Sequence, residues 1–370
     1  MKNLIFFISL FIIIGCNESP NGGVTKYDIE EFFNNVAISG GYFSSSEEKL
    51  IYSSNQSGIY NIYEVNINDG EVGQLTSSEK ESFFIRSYVP DSDSFIYSAD
   101  KGGNEISHLY LQDRDGKILD LTPGENEKSS FYKWSKDNST LYYLSNKRDS
   151  KYFDLYKMEV GEWKSSLIYE NNNNMSVSSI SDNEEFLLLS NSITTSENEF
   201  YLLEIASGNL KEISNAPGSY SSAGFSNDNK SFYYITDVNK EFAYLMQYEM
   251  ASGEASVLFE TNWDVMYSYL SKSEKYRVIG INKDGKNTLK VYNEMENREI
   301  EFPSFEDGNI IGLEFSETEN KMRLSVGSSK MPNNLYVYDL NDKSLVKLTN
   351  SLNPNIDSTN LVNAKVVRYK

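Results

Sequence analysis

The sequence predicts an all-β protein, a seven-bladed β-propeller of four-stranded antiparallel blades; one well-formed repeat and two periodic marks carry that expectation. Residues 313–350 (LEFSETENKMRLSVGSSKMPNNLYVYDLNDKSLVKLTN) hold four short runs. They end at Phe315-Ser316, follow the polar turn ETEN, centre on Leu335-Tyr336-Val337-Tyr338, and close on Val346-Lys347-Leu348-Thr349. Each run alternates apolar with polar residues over four to six positions and is bounded by Asn, Asp, Ser or Gly, as half-buried antiparallel strands are. The first strand closes on Ser44, Pro90, Ser135, Ser181, Ser226, Ser271 and Ser316, at steps of 45 or 46 residues. The fourth centres on Leu75, Leu121, Ile168, Ile213, Leu258, Glu301 and Leu348, at steps of 43 to 47. Such a period is that of propellers, in which a blade buries both faces of its sheet only by stacking on its neighbours round an axis. A solenoid is the alternative, but its repeats are usually shorter or helical.

In chain order, residues 1–15 read as a lipoprotein signal peptide: Lys2, an apolar run from Leu4 to Ile14 broken only by Ser9, then Gly15. The run is too short for a stable membrane-spanning helix. Ile13-Ile14-Gly15-Cys16 resembles a bacterial lipobox, which makes Cys16 the expected lipid-attachment residue, with Asn17 after it favouring the outer membrane of a bacterial cell envelope. Residues 16–35 comprise the lipidated Cys16, a polar tether (NESPNGGVT, 17–25) and a short N-terminal segment. Within that segment Ile29, Phe32 and Phe33 have helical spacing, and the expectation is a short helix or turn packed on the propeller. The propeller body is 36–350, with blades at 36–78, 82–124, 128–171, 175–216, 220–261, 265–304 and 309–350. Blade 6 is the least regular, with Tyr276-Arg277-Val278 where others have Leu50-Ile51-Tyr52 or Phe95-Ile96-Tyr97. Each terminal blade completes its own four strands, so the ring is expected to close by side-chain packing rather than by a mixed blade. Residues 351–370 read as a linker and one further strand.

Aromatic side chains, 27 Tyr and 20 Phe, are expected to carry much of the packing between blades. The formal net charge of −20, from 34 basic and 54 acidic residues, argues against nucleic acid or an anionic membrane surface as partner. Acidic residues cluster in predicted turns (Glu47-Glu48, Asp91 and Asp93, Asp182 with Glu184 and Glu185), which reads as a solvated surface rather than as a field for cationic ligands. No nucleophile can be assembled. G-x-S-x-G is absent, and GSYSSAG at 218–224 has the wrong spacing and precedes a strand. The single histidine, His108, falls in the third strand of blade 2 and reads as a partly buried strand residue. A general base would need a positioned nucleophile and an orienting carboxylate. Cys and His are too few for a zinc site, Asp91-x-Asp93 and Asp113-x-Asp115-Gly116 lack EF-hand spacing, and no Gly-rich phosphate loop occurs, so no metal or cofactor is expected. With one cysteine no internal disulfide forms.

Three stretches carry a family resemblance: YDIEEFFN (27–34), KGGNEISHLYL (101–111) and LTNSLNPN (348–355). With the blade repeats, which TolB-type propellers share, they resemble the N-terminal propeller of the prolyl oligopeptidase family of serine peptidases, its acylaminoacyl-peptidase-like branch especially. The resemblance implies that LVNAKVVRYK (361–370) is the first strand toward an α/β-hydrolase domain carrying the catalytic Ser, Asp and His. The sequence stops at Lys370, where that domain would begin, and this chain is expected to hold no catalytic residue. The resemblance further implies a gating role, in which the propeller limits access to short peptides, and Glu105 becomes a candidate to face substrate or hydrolase. Beside Gly102-Gly103, Glu105 also reads as a turn carboxylate. The other functional expectation is a non-catalytic TolB-like lipoprotein whose funnel binds a peptide, protein or glycan, since propellers host both roles.

Overall fold

The computed structural model describes residues 25–305 and 308–369. They form seven four-stranded antiparallel sheets, each ordered from first to fourth strand. The blades span 38–74, 84–120, 129–169, 176–212, 220–259, 264–299 and 308–347. First strands lie against one another between blades 1 and 2, 4 and 5, and 5 and 6. Hydrophobic side chains gather into seven clusters, one per interface between blades. Tyr contributes to all seven and Phe to six, as their abundance suggests.

The second strands of blades 1 to 6 depart from the expected alternation, whereas that of blade 7, Lys321–Ser328, keeps it over most of its length. Phe95–Ala99 and Ser231–Thr236 are buried at every position, because a second strand has a neighbouring blade against each face and reads as a continuous apolar run. Strand lengths also range wider than four to six residues, from two (Arg298–Glu299) to ten (Thr140–Asp149).

Blade starts fall within two residues of expectation, whereas the ends come two to five residues early. In blades 1, 2 and 7 the fourth strand stops before the leucine that marks it, and a repeated bond explains why. Leu75, Leu121 and Leu348 donate their N–H to the third strand, at Ile62, Leu109 and Leu335. The hydroxyl of the following threonine then accepts the same residue's N–H at 2.9 Å: Thr76 from Ile62, Thr122 from Leu109 and Thr349 from Leu335. A side-chain oxygen thus replaces a ladder carbonyl, the strand ends, and the leucine is free to turn toward the core.

In blade 6 the irregular Arg277 is 3% exposed. Its guanidinium lies 4.2 Å from the ring centroid of Tyr233 in blade 5, with Glu294 at 3.3 Å. An arginine that stacks on an aromatic face and pairs with a carboxylate occupies a position the other blades fill with an apolar residue.

The ring closes without a mixed blade, as expected. Leu50, Tyr52 and Tyr63 of blade 1 pack with Leu335 and Val337 of blade 7 in one cluster, and Arg323 Nε donates to the Gly41 carbonyl at 2.8 Å. Closure also has a polar clasp. Val36 N–H donates to the Ser351 carbonyl (2.8 Å), Asn353 N–H to Asn35 Oδ1 (2.8 Å), and Asn353 Nδ2 to the Glu31 carbonyl (2.8 Å). The short helix forms at Ile29–Phe33, held by a capping box between Asp28 and Glu31. It does not bury an apolar face: Ile29, Phe32 and Phe33 are exposed, and the clasp holds it through backbone and polar groups. Residues 361–369 pair with no strand. They run extended past blades 7 and 6, where Ser329 Oγ meets the Val362 carbonyl and the Ala364 N–H, and Arg368 pairs with Asp284.

Candidate functional site

Antiparallel strands sort the connections onto two faces. Turns from first to second strand lie on one, here the distal face. Loops from second to third strand lie on the other, the proximal face, with the 348–369 segment beside them.

On the distal face each serine that closes a first strand starts a tight turn. Ser44, Ser135, Ser181, Ser226, Ser271 and Ser316 accept at their carbonyls from Glu47, Asn138, Glu184, Asn229, Glu274 and Glu319. Those six residues have φ between 55° and 64°. In five of the six, all but Asn138, the side chain bonds to a neighbouring blade. Glu47 accepts from Thr318 N–H (2.6 Å) and Oγ1 (2.9 Å) of blade 7, and Glu319 from Ser273 N–H and Oγ (2.6 Å each) of blade 6. Glu274 accepts from Asn227 N–H of blade 5 (2.5 Å), and Asn229 from Asp182 N–H of blade 4 (3.0 Å). Glu184 accepts from Tyr142 Oη (2.7 Å) and Lys157 Nζ (2.6 Å) of blade 3. Five links therefore join six consecutive blades. The solvated-surface reading fails for Glu47 and Glu319, which are 7% and 4% exposed. The recurring Ser-x-x-Glu spacing was the signal that could have found them.

Lys272, in the blade 6 turn, donates to Asn138 Oδ1 of blade 3 at 3.0 Å and also pairs with Glu317. Blades 3 and 6 stand opposite each other, so this bond crosses the distal mouth. Beneath it Tyr42, Ser87, Tyr88, Trp134, Glu314 and Phe315 wall a cavity of 190 Å³. Burial pushes the Glu314 carboxyl above the usual carboxylate range, and Arg323, 2.8 Å away, only partly offsets that. Lys133, which donates to the Ile180 carbonyl (3.1 Å), is pulled down by burial against the opposing pull of Asp182.

The proximal face holds Glu105, in the loop joining the second and third strands of blade 2. It is exposed, with φ 61°, and its N–H donates to Asp100 Oδ2 at 2.8 Å; its carboxylate has no hydrogen-bond partner among the described residues. His108 begins the third strand of that blade and is 4% exposed, with Nδ1 2.8 Å from Asp120 Oδ2. A base and its orienting carboxylate are present there, but no hydroxyl bonds to the imidazole among the described residues, so nothing stands as nucleophile. Structure does not bring Glu105 and His108 into one constellation. Cys16 lies outside the described residues, and among those described no group of three His, Cys, Asp or Glu is arranged to hold a metal. No described helix is long and apolar enough to cross a membrane.

Comparison with known proteins places this architecture. The structure is similar to a prolyl endopeptidase characterised for the role of inter-domain dynamics in catalysis and specificity, with TM-score 0.63 and 14% identity, over 85% of this chain and 50% of that one. It is also similar to prolyl oligopeptidase B from Galerina marginata as the apo protein, with TM-score 0.65 and 13% identity, over 89% of this chain and 53% of that one. The same enzyme bound to a 35mer hydrolysis and macrocyclization substrate gives TM-score 0.62 and 12% identity, over 88% and 52% of the two chains. This chain spans about half the length of those structures. A search of curated proteins finds no match. Residues 76–351, well over half of the 370, match the family model of the prolyl oligopeptidase N-terminal β-propeller domain, and the chain belongs to that family.

Proposed function

We propose that the chain is the substrate-gating propeller of a cell-envelope serine peptidase of the prolyl oligopeptidase type, itself non-catalytic. The observation that carries this reading is the asymmetry of the two faces. The distal mouth is crossed by the bond from Lys272 to Asn138 and rimmed by turns tied blade to blade. The proximal ends of successive blades are also tied to one another, but among the described residues no bond crosses the proximal mouth, and the chain segment that follows blade 7 lies on that face. A peptide meeting this propeller is therefore admitted from the proximal side, where an α/β-hydrolase domain following residue 370 would sit. Glu105, with its unengaged carboxylate on that face, is a group that substrate or hydrolase would meet. In this reading acylated Cys16 anchors the protein to the outer membrane, the substrates are short peptides, and nucleic acid is no partner of a chain with net charge −20.

The test is the intact mass of the protein as its own cell makes it, with its C-terminal peptide sequenced and its peptidase activity assayed. Continuation past Lys370 into a G-x-S-x-G domain, with hydrolysis of short peptides, supports the proposal. A chain ending at Lys370, with no hydrolase bound to it, overturns the proposal in favour of a binding lipoprotein.

A further inference from the structure

Between blades 3 and 4 the proximal face opens into a cavity of 330 Å³ whose lining includes Leu144, Phe153, Met175, Val177, Lys128 and Lys151. Its walls are fixed by a buried network. The Asp154 side chain has no exposed surface and takes two bonds from Arg148 (2.8 and 2.9 Å) and one from Tyr156 Oη (3.1 Å). Asp154 also accepts from the Asn171 N–H (2.8 Å), and Arg148 Nη2 donates to the Asn171 carbonyl (2.8 Å). The Asn171 amide then donates to Phe153 and Met175 carbonyls (3.2 and 2.7 Å), and its Oδ1 accepts from Met175 N–H (3.2 Å). Phe153 and Met175 are thereby held at the cavity before any ligand arrives, as a preformed site requires.

The two lysines come from different segments, Lys128 from the start of the first strand of blade 3 and Lys151 from its second-to-third loop. Neither ammonium group lies within 4 Å of a carboxylate among the described residues, the Asp149 carboxylate being engaged by the Lys151 backbone N–H instead (3.0 Å), although Asp and Glu outnumber Lys and Arg by 54 to 34. Two unpaired ammonium groups above an apolar floor fit a ligand that joins a carboxylate to a hydrophobic side chain. We infer that this cavity binds the C-terminal residue of a peptide, its apolar side chain on Phe153, Met175 and Val177 and its α-carboxylate between Lys128 and Lys151. The volume suits one residue rather than a folded partner. The inference deepens the gating proposal and rests on its peptide substrates: a propeller that holds a free C-terminus sorts peptides by where they end.

Calorimetric titration of the 370-residue chain with short peptides ending in Leu or Phe, as free acids and as C-terminal amides, tests it. The acid is expected to bind about tenfold more tightly than the amide, the contribution of charge-assisted contacts. In Lys128→Gln/Lys151→Gln, which alters two exposed side chains, that preference should vanish with amide affinity unchanged, and Phe153→Ala should weaken both forms. Equal binding of acid and amide, a preference that survives the double substitution, or no binding of either peptide overturns the inference. Because the titration needs no hydrolase, these outcomes separate from the peptidase test. Peptide hydrolysis by the native protein without a C-terminal preference sinks the subsite alone, and the preference without any hydrolysis sinks the gating role alone.

Discussion

Lys272 Nζ reaches Asn138 Oδ1 at 3.0 Å, joining turns that are 134 residues apart in sequence and on opposite sides of the ring. A lysine ammonium with Asn138 and Glu317 as partners is a contact of modest strength, because its side chain is about one-third exposed. Its consequence is geometric, since it spans the distal mouth of the channel. Lys272→Met is expected to change global stability by no more than about 1 kcal/mol while raising amide exchange in the 135–140 and 271–276 turns. Unchanged protection in both turns would show that the mouth is closed by packing instead.

Glu47 bears on ring closure. Its carboxylate accepts both the N–H and the hydroxyl of Thr318, and its carbonyl accepts from Lys321 Nζ at 2.9 Å, all across the junction of blades 1 and 7. Glu47→Ala leaves a part-buried N–H unpaired at a cost of about 1–3 kcal/mol, a fall in Tm of roughly 1–4 °C for a domain of this size. The exposed neighbour Glu48 serves as the control, with Glu48→Ala expected to change little. Equal effects of the two substitutions would remove Glu47 from the closure.

The contrast between these two glutamates shows what a sequence carries and what it hides. Blade number and phase were legible because six of the seven residues that close first strands are serines fixed by a local turn, with Pro90 the seventh, and local turns leave a periodic mark. The partners of Glu47 and Glu319 were not, because burial of a turn carboxylate depends on the neighbouring blade, far away in sequence for Glu47. Leu75 and Leu348 were found but assigned to strands that end before them, since alternation does not register a Thr hydroxyl standing in for a carbonyl. The helix at 29–33 was legible from its spacing, yet its apolar side chains stay exposed: helical spacing reports a face, not what covers it. Of the candidate site, Glu105 was named only through the family resemblance, its loop by itself reading as a turn, whereas the wall built by Asp154 and Asn171 brings together residues that no single motif contains.

The lipid anchor is tested apart from the fold. Acyl chains stabilise membrane association by about 0.8 kcal/mol per buried CH₂, so Cys16→Ser is expected to move the protein from the membrane fraction to the soluble fraction. Retention of the variant on membranes would refute acylation at Cys16.

Asp154 and Glu314 are expected to tilt the pH dependence of stability in opposite senses. Burial alone would raise the Asp154 pKa, but the bonds from Arg148, the Asn171 N–H and Tyr156 overcome it and hold the carboxyl below its ordinary range. A folded pKa below the unfolded value of about 3.9 means that its contribution is fully present above that pH and is lost as pH falls through the folded value. Glu314 is the reverse case. Burial raises its folded pKa above the unfolded value of about 4.3, so its contribution is full below that pH and is lost as pH rises through the folded value. Asp154→Asn should therefore be most destabilised near neutrality, and the difference should shrink in acid. Glu314→Gln keeps an acceptor for Arg323 and should gain stability relative to the native chain above the raised pKa, with the gain vanishing in acid. Denaturant midpoints measured from about pH 3 to pH 7 read both slopes, and parallel curves for the two variants would contradict the assignment of opposite shifts.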